Sequence, residues 1–214
     1  MVAFFGAFVP IMHLPIGTFY FISYAGITIG GYIIAKVLLN ETITFIKAVS
    51  LFLALVGLCF IYSINVESLD FLYVVFAFVG GFGSSGWNIL AKKISHHYSA
   101  LQLNLIDFMT YTFYTFIISI ILHEQWSLPV INNVWGAQLG FVLMFLVTGQ
   151  LIIYGFRYLD AQIGSLVLLL EILFGTLFAY IFFKEAVTLM TMVGGTLIII
   201  AIVLPEVIVQ KRKV

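Results

Sequence analysis

The chain has 214 residues, 63% apolar and only 8% charged, whereas water-soluble domains hold about 45–50% apolar and about 25% charged residues. So apolar a chain cannot cover itself with polar surface, which excludes a soluble monomer and makes lipid the solvent for most of it. Nine Lys and Arg balance nine Asp and Glu, which argues against nucleic-acid binding, and the single Cys59 with no Cys/His cluster supports no internal disulfide, metal or cofactor.

In lipid every backbone N–H and C=O has to be paired internally, so apolar runs of about 20 residues become membrane-crossing helices. A short apolar stretch, Met1 to Met12, comes first and lacks the basic start and cleavage site of a signal peptide. Seven candidate spans follow: Pro15 to Leu39, Ile43 to Ser63, Phe71 to Leu90, Ala100 to Leu122, Val134 to Arg157, Ile163 to Phe183 and Val187 to Val207. Polar turns separate them at Asn40-Glu41-Thr42, Glu67 to Asp70, His96 to Ser99, Pro129 to Asn133, Asp160-Ala161-Gln162 and Lys184-Glu185-Ala186. The expected fold is an all-α polytopic membrane protein of seven full transmembrane helices plus an N-terminal stub. With the Asn40 turn inside, Lys36, Lys47, Lys92, Lys93, Arg157, Lys211, Arg212 and Lys213 fall on the cytoplasmic side and only Lys184 falls outside. Glu67, Asp70 and Trp126 then face outward, and the tail from Gln210 to Val214 is cytoplasmic.

Two stretches of the chain resemble each other. Pro15-Ile16-Gly17-Thr18 matches Gln162-Ile163-Gly164-Ser165 at an offset of 147, and Glu41-Thr42-Ile43-Thr44 matches Glu185-Ala186-Val187-Thr188 at an offset of 144. By the charge rule the Glu41 turn is inside and the Glu185 turn outside, so the copies are inverted in the membrane. Inverted repeats are the arrangement of alternating-access carriers. The run Arg157-Tyr158-Leu159-Asp160-Ala161-Gln162-Ile163-Gly164-Ser165 through Glu171, with Lys184-Glu185 and Gly194-Gly195, resembles the end of an EamA-type repeat of the drug/metabolite transporter superfamily. Leu14-Pro15-Ile16-Gly17 with Glu41-x-x-Thr44 is similar to the same part of that family's first repeat. One departure is Ile172, where the family pattern has Pro.

The resemblance implies ten helices in two inverted sets of five, and this chain has fewer. Phe71 to Met144 and the three residues after it have no counterpart in the first half, which is two helices' worth. The expected organisation is residues 1–66 as the C-terminal part of a truncated first repeat, 67–208 as the second repeat and 209–214 as a basic tail. A truncated ten-helix carrier is the expectation, with a natural eight-segment chain completed by a partner as the alternative.

Glu171 stands out because an acid near the middle of an apolar helix usually faces a cavity or a partner. Gly164 and Gly175, at i−7 and i+4, put a low lane along its face, and it is the candidate for binding a cationic group or coupling a proton. Tyr20, Tyr24 and Thr28, then Ser84 and Asn88 with Trp87 beside them, then Gln150 and Tyr154, follow helical spacing. The resemblance implies that their helices line the central cavity, so Tyr20, Tyr24, Ser84, Trp87, Asn88, Gln150, Tyr154 and Glu171 form the candidate translocation site. Glu41 and Glu185 read as structural ends of the two repeats. Arg157 reads as an interfacial anchor.

Gly81-Phe82-Gly83-Ser84-Ser85-Gly86 fits G-x-G-x-x-G, but its setting inside an apolar helix excludes a dinucleotide loop and favours tight helix packing. The same serines lack a histidine at their depth, which argues against an intramembrane protease. The reading is therefore a non-enzymatic carrier of a small metabolite in the inner (plasma) membrane, whose partners are its solute and the bilayer, and the family resemblance implies export as the direction. A homodimer stays open through Gly26-x-x-x-Gly30 and Gly136-x-x-x-Gly140. A scaffold or half-carrier is the rival, and an intramembrane enzyme the remote one.

Overall fold

The computed structural model describes residues 2–62, 70–125 and 133–211. Glu67, Trp126, Arg212, Lys213 and the Pro129 to Asn132 part of one expected turn lie outside them. The described residues form helices α1 (Val2–Ile11), α2 (Ile16–Leu39), α3 (Phe45–Tyr62), α4 (Phe71–Ile94), α5 (Ala100–Ile121), α6 (Asn133–Tyr158), α7 (Ala161–Val167), α8 (Leu170–Phe183) and α9 (Leu189–Lys211). Seven helical segments among the described residues are long and apolar enough to cross a membrane, and they are the seven expected from the sequence. At about 15 Å, α1 is too short to cross alone.

The span expected as one helix from Ile163 to Phe183 is two. Between α7 and α8 the backbone tightens: the N–H groups of Leu169, Glu171 and Ile172 donate to the carbonyls of Leu166, Leu168 and Leu169, three residues back, at 3.0, 3.1 and 3.1 Å. Each residue of such a 3₁₀ turn advances the helix by about 120° rather than about 100°, so the two segments fall out of phase. The lane drawn from Gly164 through Glu171 to Gly175 is broken for this reason. Gly164 is buried, whereas Glu171 and Gly175 are exposed. Glu171 sits in the first turn of α8 instead of mid-helix.

Two compact units make up the chain. One, Ala91–Tyr158, holds α5, α6 and the end of α4. Its small core is Ala91, Leu103 and Ile153, and the Asn104 amide donates to the Leu146 carbonyl at 2.9 Å. Ser99 opens α5 with a reciprocal cap, its hydroxyl accepting from the Gln102 N–H while the Gln102 side chain accepts from the Ser99 N–H.

The other unit, Val2–Leu90 with Leu159–Val214, carries the main core: Tyr24, Tyr32, Ala54, Leu58, Leu166, Leu169, Ile172, Ile198 and Ala201. Its most extensive helix contact is α3 on α9. A Cβ at Gly57 would lie 2.7 Å from the Gly194 carbonyl oxygen, and one at Gly194 would lie 2.5 Å from that of Gly57. Without water or a strong hydrophobic drive between helices, backbone approach of this kind is what holds them together. The glycine-rich stretch of α4 serves the same end, because a Cβ at Gly81 would collide with the Ser23 carbonyl of α2. Gly26 and Gly30 likewise meet Phe78 and Ser85, so that G-x-x-x-G pair is used within the chain.

Gly57→Leu is expected to force α3 off α9 and lower the melting midpoint in detergent, at a cost of about 1–3 kcal/mol. Gly155→Ala, where nothing lies within 4 Å of the added carbon, is expected to leave the midpoint unchanged or raise it slightly. Equal melting of the two variants would show that the glycine crossing does not govern packing.

Candidate functional site

Two turns in the larger unit are built alike. Asn40 ends α2 at φ 55°, ψ 26°, and Lys184 ends α8 at φ 57°, ψ 27°, both left-handed. The next N–H groups, of Glu41 and Glu185, donate to the Ala35 and Ala179 carbonyls at 3.3 and 3.4 Å. This is the closure of a helix end by a left-handed residue, repeated 144 residues on. Three residues after each Glu a threonine then opens the next helix. Thr44 Oγ1 accepts from the Lys47 N–H at 3.3 Å, and Thr188 Oγ1 accepts from the Thr191 N–H at 3.1 Å. The Glu-x-x-Thr motif is thus a stop, an acid and a start.

The helices that pair with these turns also begin alike. Pro15 precedes α2 at φ −53°, ψ 136°, and Asp160 precedes α7 at φ −54°, ψ 136°. The structural register is therefore 145, pairing Pro15 with Asp160, two residues away from the 147 that the sequence identities suggest.

From here the two ends differ. At the Glu41 end the carboxylate reaches the start of α7: Ala161 N–H donates to Glu41 Oε1 at 2.7 Å and Gln162 N–H donates to Oε2 at 3.2 Å. The Gln162 side-chain amide donates to the Glu41 carbonyl at 3.3 Å, and Lys47 Nζ bonds Asp160 Oδ2 at 2.9 Å. A carboxylate suits this place, since the first N–H groups of a helix lack partners and carry partial positive charge. At the Glu185 end, α2 starts on Pro15 with no side-chain cap, and no hydrogen bond or ion pair to the Glu185 carboxylate is found among the described residues. Glu185 instead lines a cavity.

That cavity, about 430 Å³, lies within the larger unit and is walled by α2, α3, α8 and the turn into α9. Tyr20, Tyr24, Tyr62, Glu171, Thr176 and Glu185 face it. The rings of Tyr20 and Tyr24 stack with centroids 6.2 Å apart, and the Tyr24 hydroxyl interacts with the Glu171 carboxyl group. Gly175 lies across the same space, with nothing within 4 Å of where a side chain would begin.

Of the residues expected from the sequence to line a translocation path, Tyr20, Tyr24 and Glu171 are brought together here. Ser84, Trp87 and Asn88 are half-buried on α4 and do not face this cavity, and Ser84 Oγ donates to its own helix at Gly80. Gln150 and Tyr154 belong to the smaller unit, where Tyr154 pairs with Tyr158 at 5.0 Å between ring centroids. Sequence reasoning missed Tyr62, Thr176 and the cavity role of Glu185. Glu185 was marked by the repeat, whereas Tyr62 had no sequence signal beyond closing a helix. It missed equally the Lys47–Asp160 pair, whose members are 113 positions apart in sequence.

A family model, the EamA-like transporter family, matches residues 71–205, from the start of α4 into α9. No curated protein matches the chain.

The Lys47 side chain is 10% exposed and Asp160 55% exposed, so the two losses are unequal. Asp160→Asn leaves a buried ammonium without its carboxylate and is expected to cost about 1–3 kcal/mol, more than Lys47→Met does. The double variant is expected to recover part of that loss in chemical denaturation. Strict additivity would show that the ion pair contributes nothing.

Proposed function

Because the chain belongs to the EamA-like transporter family of the drug/metabolite transporter superfamily, we propose that it moves a small metabolite by alternating access between two inverted repeats, with the Glu41 and Glu185 turns as opposed latches. The observation that carries this reading is the inequality of two turns of the same build. One carboxylate closes on the start of the helix facing it, while its counterpart stands at an open cavity. In the alternate state Glu185 accepts the N–H groups of Ile16 and Gly17, the positions that correspond to Ala161 and Gln162 at the 145-residue register. Both amides open α2 and lack a side-chain cap here. The exchange trades one capped helix start for another, so in either state one of the two starts carries a carboxylate cap.

The latches are unequal in strength. The Glu41 end adds the Lys47–Asp160 ion pair, whereas the equivalent positions at the other end are Thr191 and Pro15, which cannot form one. The resting population therefore favours the Glu41 end closed. The charge rule, which assigns eight of nine basic residues to the same side as the Asn40 turn, supports a cytoplasmic position for the closed end and the C-terminal tail at the inner membrane. Export is the direction proposed, with Glu171 as the group met by the solute or an exchanged proton.

Two reporter cysteines, in a Cys59→Ser background, test the latches. Ala161→Cys is buried under the Glu41 carboxylate, and Gly175→Cys faces the cavity. Glu41→Gln or Glu41→Ala is expected to speed maleimide labelling at position 161 and slow it at 175, by about tenfold each for a shift of about 1.4 kcal/mol. Glu185→Gln is expected to do the reverse. Rates that rise together at both positions would mean general loosening, and unchanged rates would mean no latch; either removes the proposal.

A further inference from the structure

Resting on the reading of this cavity as the solute path, we infer that the solute is a small organic cation, an amine or quaternary ammonium group carried on a compact apolar body. The cavity presents two carboxyl groups, Glu171 and Glu185, and three tyrosines, Tyr20, Tyr24 and Tyr62, and no Lys, Arg or His is among its described lining residues. Lys184, next to Glu185 in the chain, does not face it. No ion pair involves either carboxyl group among the described residues. An acid held in a cavity at membrane depth without a basic partner is costly unless something positive comes to it, so the cavity is complementary to a cation and repels an anion.

The aromatic side of the site supports the same class. Tyrosine faces attract ammonium groups through the ring quadrupole, and Tyr20 and Tyr24 form one stacked wall on successive turns of α2. Tyr24 and Glu171 line the same space, where the carboxyl oxygens can accept donors from a primary amine. Ile61, Ile172 and Ala179 supply apolar lining for the body of the solute, and Gly175 leaves room for it. About 430 Å³ is room for one aromatic or aliphatic amine.

The test compares phenethylamine, phenylacetate and phenylalanine, which share a ring and differ in charge, by titration calorimetry on the purified full chain in detergent. At neutral pH phenethylamine is expected to bind at least about tenfold more tightly than phenylacetate and more tightly than phenylalanine. Glu171→Gln is expected to remove that preference by weakening phenethylamine about tenfold while leaving phenylacetate unchanged or improved. Glu185→Gln is expected to act in the same direction with a smaller factor. Tightest binding by phenylalanine or phenylacetate, or no binding by phenethylamine, overturns the inference. The ranking of the three probes on the unaltered chain decides the matter even where a Glu171 variant does not fold. Because binding is read without flux or labelling, its failure leaves the latch proposal standing, and failure of the reciprocal labelling leaves the cation preference measurable.

Discussion

The carboxylate of Glu41 on the start of α7 is the contact around which the larger unit is arranged. A helix that begins inside an apolar structure has N–H groups that neither its own carbonyls nor water can satisfy, and each left bare costs on the order of 1–3 kcal/mol. Ala161 and Gln162 bring those groups to one point, and Glu41 answers both with its two oxygens at 2.7 and 3.2 Å. Glu41 can do so only because Asn40 turns the chain in the left-handed region and Thr44 starts α3 four residues later. Its place at the surface of one helix pair is therefore fixed by backbone geometry before any side chain is packed. The Lys47–Asp160 pair, with Lys47 in the first turn of α3, then holds the same junction from a second point.

Copying the turn without copying its partners is how one architecture yields two unlike ends. Pro15 and Asp160 give their helices the same entry dihedrals, since proline supplies by covalent restraint an angle that aspartate adopts freely. Proline brings no charge, however, so the α2 end has no ion pair to match. Thr191 occupies the place of Lys47, and its side chain carries no charge and shares a hydrogen bond with the Thr188 hydroxyl at 2.9 Å instead. The chemistry left over at that end, Glu185 with the tyrosines, borders the cavity.

The architecture was legible in the sequence to the extent that lipid dictates it. Seven apolar runs became seven helical segments, and the Glu-x-x-Thr motif marked both turns, because span length and turn chemistry are local properties. Contacts between distant segments were not legible. Glu41 read as the end of a helix, because nothing in its neighbours says that the start of α7, 120 residues on, lies within reach of its oxygens. The candidate site came through in part for the same reason. Tyr20 and Tyr24 share a face of one helix and were found together, whereas Gln150 and Tyr154 were joined to them by helical spacing and family likeness, and they sit in the smaller compact unit. Tyr62 and Glu185 each contribute through the end of an element, where periodicity carries no information.

The break before Glu171 shows a further limit of helical periodicity. A wheel drawn at 100° per residue puts Gly164, Glu171 and Gly175 on one lane, and that lane fails because Leu166 to Leu169 are wound more tightly than an α-helix. The tightening does not need a proline. Ile172 keeps its N–H and spends it on the Leu169 carbonyl at 3.1 Å, so the segment is overwound rather than interrupted. The consequence is a division of labour along one membrane span. The α7 part turns its small residues, among them Gly164 and Ser165, into the packed face toward α2 and beneath the Glu41 carboxylate, while the α8 part turns Glu171, Gly175 and Thr176 toward the cavity. A uniform α-helix through the same residues would hold Glu171 and Gly164 on one stripe and could not serve both the packed junction and the open space. The few residues of 3₁₀ winding are what let a single crossing carry the closed junction at one end and an acid facing the cavity at the other.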